Sequence, residues 1–190
     1  MKTFATANRP EDLMESNGAP EAGEAWRCEH IAQARERLAR AMQDWPDNGE
    51  LPLALGHMEM TLGNFEAALA AYASATSLLP KSAAAHSSLA LACQKLGRST
   101  EAAHAALRAI ALEPGDAAAL KVLARIHLDA GQHEAAQNAC RLILRRDRHD
   151  AEARQMMGEA IVQEVKLAEN LFDSKPRLMA PPPRRARKPA

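Results

Sequence analysis

Aromatic residues make up only 3% of this chain, with one Tyr, two Trp and three Phe. Val, Ile and Thr rarely fall in alternating runs while Ala is abundant, which excludes a sheet and favours closely packed helices. The chain also lacks a charge of one sign, since Lys plus Arg and Asp plus Glu both total 24. No global field therefore draws it to nucleic acid or to an acidic substrate. No apolar run approaches the ~20 residues that a membrane span needs. Cys28, Cys93 and Cys140 are odd in number and widely spaced, so no disulfide framework is expected. Residues 1–20 hold no apolar core segment, and Glu11, Asp12 and Glu15 argue against a signal peptide. These absences lead to the expectation of a cytoplasmic protein, and 190 residues are enough for one domain with a real core.

Catalytic chemistry is missing in the same way. No Gly-rich phosphate loop and no nucleophile constellation occur. Of the seven His, His57, His86, His104, His127, His133 and His149 fall on different helices or loops, so they are expected as surface or core histidines. Cys93 and Cys140 sit at inward positions and are expected as small buried hydrophobes. The expectation is a chain that is not an enzyme, with no catalytic residue, no metal site and no cofactor.

What the chain does have is a period. Leu55, Leu89 and Leu123 recur every 34 residues, each followed by a small residue, Gly56, Ala90 or Ala124. Gly63, Gly97 and Gly131 follow at the same interval, then Ala68, Ala102 and Ala136, then Ala75, Ala109 and Ile143. Pro80 and Pro114 close the first two units, with Arg148 in the equivalent place of the third. Asn48, Ser82, Asp116 and Asp150 stand in register before the first helix of each unit, where a short polar side chain can accept from an orphan amide. Gly at the internal turn suits a left-handed C′ residue, and Pro52 falls in a first turn where its missing N–H costs little. A fixed period of this kind marks a helix–turn–helix solenoid. Small residues at facing places let two antiparallel helices approach closely.

This pattern resembles the tetratricopeptide repeat (TPR) family. The resemblance implies an all-α, right-handed solenoid with units at about 49–82, 83–116 and 117–150. Before them, Ile31, Ala34, Leu38, Ala41 and Pro46 match the second half of a unit, but Glu29 replaces the turn glycine. A single helix from about residue 21 is therefore expected, covering the first unit with Trp26 and Trp45 as anchors. After the repeats, Met157 and Gly158 hold the Leu-Gly register, but Val165 replaces the turn glycine, which predicts one capping helix over about 151–172. The solenoid is thus expected over 21–172, after a flexible segment 1–20. It is followed by a Pro-rich tail, 173–190, which carries six basic and no acidic residues from Ser174 onward and leaves the body acidic.

The family resemblance also implies that function lies in the concave groove lined by the first helix of each unit. Mapped onto this chain, the partner-binding residues are Leu53, His57, Met60, Leu91, Lys95, Lys121, Arg125, Leu128 and Met156. Lys95, Lys121 and Arg125 form a basic cluster in an otherwise apolar groove, suited to a protein or peptide segment that is apolar with some acidic character. Some family members clamp a C-terminal carboxylate with Lys, Asn, Asn, Lys and Arg; here Leu53, His57, Ser88, Ala118 and Val122 hold those places, and the clamp is absent. The implied function is a non-enzymatic interaction scaffold, adaptor or chaperone. The alternative is a regulatory or targeting subunit that docks on a catalytic partner, or a chain that self-assembles through its solenoid ends. A homo-oligomer, or the chain's own termini, would be other occupants of the groove. The basic tail suits weak contact with anionic surfaces, against the plainer reading of a solubilising tail.

Overall fold

The computed structural model describes the backbone of residues 20–173 and the side chains of residues 29–170. Eight α-helices and no strand occur among the described residues: α1 (Pro20–Asp44), α2 (Glu50–Thr61), α3 (Phe65–Leu78), α4 (Ala83–Lys95), α5 (Ser99–Leu112), α6 (Ala117–Asp129), α7 (His133–Arg146) and α8 (Ala151–Asp173). They divide into two compact units, one ending at Pro46 and holding α1, the other beginning at Asp47 and holding α2 to α8. The expected N-terminal segment and tail lie outside the described residues, apart from Pro20 and Asp173 at their edges.

The 34-residue period appears directly in the element bounds. α4 and α6 start and stop one period apart, as do α3, α5 and α7. Gly63, Gly97 and Gly131 have φ of +77°, +72° and +70°, the left-handed conformation that a side chain would strain. Each stands in a turn closed by a pair of nested hydrogen bonds, as when Gly63 N donates to Met60 O at 3.1 Å and Asn64 N to Glu59 O at 2.9 Å. At the outer turns the capping side chains act as the sequence predicts. Ala85 N donates to Ser82 Oγ at 3.3 Å, Ala119 N to Asp116 Oδ1 at 2.9 Å and Ala153 N to Asp150 Oδ1 at 2.8 Å. Asn48 differs: its Oδ1 accepts from Glu50 N at 3.1 Å, one residue earlier than in the other units. Gly49 there is already helical, with φ −66° and ψ −14°.

Packing follows from the small residues. Ala68, Ala75, Ala90, Ala102, Ala109, Ala124 and Ala136 are fully buried, so the helices of each unit meet backbone to backbone. Gly56 shows the limit of that approach: a Cβ placed there would overlap the ring of Tyr72. Ile143, bulkier than the Ala at its equivalents, is accommodated in a cluster with Leu120 and Ala153. Arg148, in place of the closing Pro, does not prevent the third outer turn. Arg146 instead ties α7 back to the preceding outer turn, donating from Nη1 to Gly115 O at 2.8 Å and pairing with Glu113 at 3.3 Å.

From Asp47 onward, α2 packs on α4, α4 on α6 and α6 on α8, while the backbones of α3 and α5, and of α5 and α7, stay more than 8 Å apart between Cα atoms among the described residues. Neighbouring first helices are thus closer than neighbouring second helices. The layer of α2, α4, α6 and α8 lies on the inside of the curve.

α1 runs unbroken past Glu29, the place of the missing turn glycine. An exposed Glu36–Arg40 pair at 2.6 Å spans one of its turns. Trp45, expected as an anchor, is instead exposed, and the Trp26 side chain lies outside the described residues.

Candidate functional site

The inner layer holds an open cleft of about 760 Å³. Its walls come from α4 (Leu91, Gln94, Lys95), α6 (Ala117, Ala118, Lys121, Val122, Arg125, Asp129) and the start of α8 (Glu152). Steps of three and four residues put each helix's contributors on one face, which the repeat register turns inward. Four of the nine residues expected in the groove, Leu91, Lys95, Lys121 and Arg125, are brought together here. His57, Met60 and Leu128 lie outside this cleft. Met60 and Leu128, half-buried, pack against the core beneath the inner layer.

Two expected groove residues are corrected to core. Leu53 is 7% exposed and packs with Ala68, Tyr72 and Ala75, and Met156 is 1% exposed among Ala124, Ala139 and Cys140. The helical face presented to the groove is narrower than the register implies, because neighbouring first helices pack side by side and cover its flanks. Gln94, Ala117, Ala118, Val122, Asp129 and Glu152 line the cleft besides the four expected residues. Ala117 sits at the first turn of α6, where a small residue leaves the cleft open.

The basic cluster is also different from its sequence reading. Lys121 Nζ lies 2.8 Å from Asp150 Oδ2 and 3.1 Å from Glu152 Oε2, and Arg125 Nη1 lies 3.2 Å from Glu159 Oε2. Arg125 and Glu159 are one period apart, so stacking successive units sets them side by side. Two of the three cations are therefore already paired with the outer turn and α8. For Lys121, burial pulls the ammonium pKa down, but the hydrogen bonds it donates to Asp150 and Glu152 outweigh that and raise it overall. The bond from Lys121, with that from the Ala153 amide, holds the Asp150 carboxyl below its usual range. Lys95, exposed on α4, has no such ion pair among the described residues.

Beside the cleft, His57 on α2 meets Tyr72 edge to face, with ring centroids 5.5 Å apart. Its Nε2 lies 3.1 Å from Ser88 Oγ on α4. Burial pushes the Tyr72 phenol up to about 12, against the opposing pull of the Ser88 hydroxyl. Tyr72 is thus a neutral spacer that sets the distance between helices, not an acid–base group at neutral pH. Cys93 and Cys140 are buried free thiols whose pKa values burial raises, which keeps them from thiolate chemistry. No group of three or more His, Cys, Asp or Glu able to hold a metal occurs among the described residues, and no described helix is long and apolar enough to cross a membrane.

Among solved structures, the chain is similar to one described as MamA protein, with 25% identity and a TM-score of 0.67, over 80% of this chain and 84% of that one. A tetratricopeptide repeat protein from Parabacteroides merdae is similar at 21% identity and a TM-score of 0.65, over 86% of this chain and 64% of that one. The TPR2B domain of yeast Sti1, solved as a complex with pHsp70, matches at 21% identity and a TM-score of 0.57, over 60% of this chain and 97% of that one. At those lower identities the likeness concerns the fold. Among the curated proteins, none matches this chain. Family models described as tetratricopeptide repeat match residues 20–83, 53–117 and 95–160. With the glycine turns, buried alanines and inner helix layer in place, the chain belongs to the tetratricopeptide repeat family, whose repeats are in general non-catalytic modules of protein–protein interaction.

Proposed function

We propose that the chain is a non-enzymatic adaptor or chaperone that holds a segment of a partner protein in the cleft between α4 and α6. The observation that carries this reading is the cleft itself, open and walled by Leu91 and Val122 with cationic groups above them. Open concavities that combine apolar walls with a few polar and charged groups are where soluble proteins bind partners. Because Lys121 and Arg125 are already paired, the segment is chiefly apolar. An acidic side chain would address Lys95 first, and reach Lys121 only by displacing Glu152.

Selection of a peptide library on the immobilised chain should enrich segments that combine apolar with a few acidic residues. Leu91→Asp with Lys95→Glu should abolish their binding while the circular dichroism spectrum stays unchanged, since both side chains are exposed. Enriched peptides that bind the double variant as well as the wild type would place the site elsewhere. Glu152→Gln should tighten an acidic peptide by roughly two- to fivefold, the scale of one partly exposed ion pair.

A further inference from the structure

α8 begins as the first helix of a fourth unit, and no second helix follows it among the described residues. Asp150 caps it, Ala153, Met156 and Ala160 are buried against its predecessors, and Gly158 stands one period after Ala124 and three after Gly56. At Gly56 a Cβ would collide with Tyr72 of the following helix; at Gly158 a Cβ would meet nothing within 4 Å. Among the described residues, the space where a partner helix belongs is open.

The face that borders this space is apolar. Steps of three and four residues from Gly158 lead to Ile161, Val162 and Val165, which are 46%, 51% and 50% exposed. This face lies away from the one buried against α7. Arg154 begins the same face and Glu169 ends it; both are exposed and make no ion pair among the described residues.

We infer that this face is a self-association surface, in which α8 of a second copy lies antiparallel across it and takes the place of the missing helix. A two-fold axis beside Ile161 and Val162 gives a consistent register. Each Ile161 meets the other copy's Val162, each Val165 fills the space over the other copy's Gly158, and each Arg154 faces the other copy's Glu169. Charge complementarity thus selects the antiparallel two-fold arrangement, since a parallel one would set Arg154 against Arg154. Closed two-fold pairs are the commonest protein assemblies, and one helix face is at the small end of stable interfaces, so the dimer is weak. It buries the open end that a solenoid otherwise leaves to water. This inference rests on α8 alone and stands or falls independently of the cleft.

Analytical ultracentrifugation of the full chain over a concentration series tests it. The wild type should pass from monomer to dimer as concentration rises. Arg154→Glu alone and Glu169→Arg alone should each weaken the dimer by roughly tenfold or more, because each sets like charges together twice. An equimolar mixture of the two variants should dimerise again, as should the Arg154→Glu/Glu169→Arg double variant. Circular dichroism should be unchanged throughout, since both side chains are exposed. A wild type that stays monomeric at every concentration overturns the inference. So do single variants that dimerise like the wild type, or a mixture that stays monomeric.

Discussion

Gly56 and Gly158 hold the same repeat position, but only Gly56 has a neighbour in the space a side chain would take. Gly56→Ala should destabilise the chain by about 1–3 kcal/mol, the cost of overpacking against Tyr72. Gly158→Ala should stabilise it by about 0.5–1 kcal/mol, because Ala loses less backbone freedom in a helix interior and meets nothing. Urea denaturation at concentrations dilute enough to keep the chain monomeric checks both; equal effects would contradict the packing at Gly56. Gly131 differs again. Its φ of +70° sets the cost there, so Gly131→Ala should destabilise by about 1–2 kcal/mol although space is open.

Asp150 joins two elements, capping α8 through the Ala153 amide while pairing with Lys121 of α6. Its carboxyl pKa is lowered in the folded chain, first by the hydrogen bond from Lys121 and then by that from Ala153. A depressed carboxyl pKa contributes stability that is present above its unfolded value of about 4 and lost as pH falls through the folded value. Asp150→Asn keeps the capping oxygen but removes the charge. Its melting temperature should therefore fall less steeply than the wild type's as pH drops from about 4 through the folded value. The same slope in both proteins would mean that the pair contributes nothing. Between α4 and α5 the deciding residue is Ala102, fully buried at their closest approach. Ala102→Phe should destabilise by roughly 1–3 kcal/mol or more. An unchanged melting temperature would contradict the repeat register itself.

Over the whole molecule, each repeat is stabilised by its neighbours, so the open ends are its weak points. α8 shows this most clearly: its first half packs on the third unit, while residues 161–170 are all exposed. Hydrogen exchange should be fastest in that second half of α8 among helices α2 to α8. Protection there equal to that of α4 or α6 in a monomeric sample would contradict the open face. Raising the protein concentration should then slow exchange at Ile161, Val162 and Val165, as the second copy covers them.

The period, the turn glycines, the outer-turn caps and the single helix expected over about 151–172 were legible in the sequence, because each depends on backbone conformation and on spacing along one chain. Gly63, Gly97 and Gly131 need only a left-handed turn, and Ser82, Asp116 and Asp150 need only a nearby amide. The cleft was legible in part. Leu91, Lys95, Lys121 and Arg125 follow from the register, but the burial of Leu53 and Met156 depends on how tightly neighbouring first helices pack. The pairing of Lys121 with Asp150 and Glu152, and of Arg125 with Glu159, belongs to the same class. Those partners are about thirty residues away along the chain and become neighbours only when one unit is stacked on the next. Local chemistry determined the elements; the stacking of units decided which of their side chains remained available to a partner.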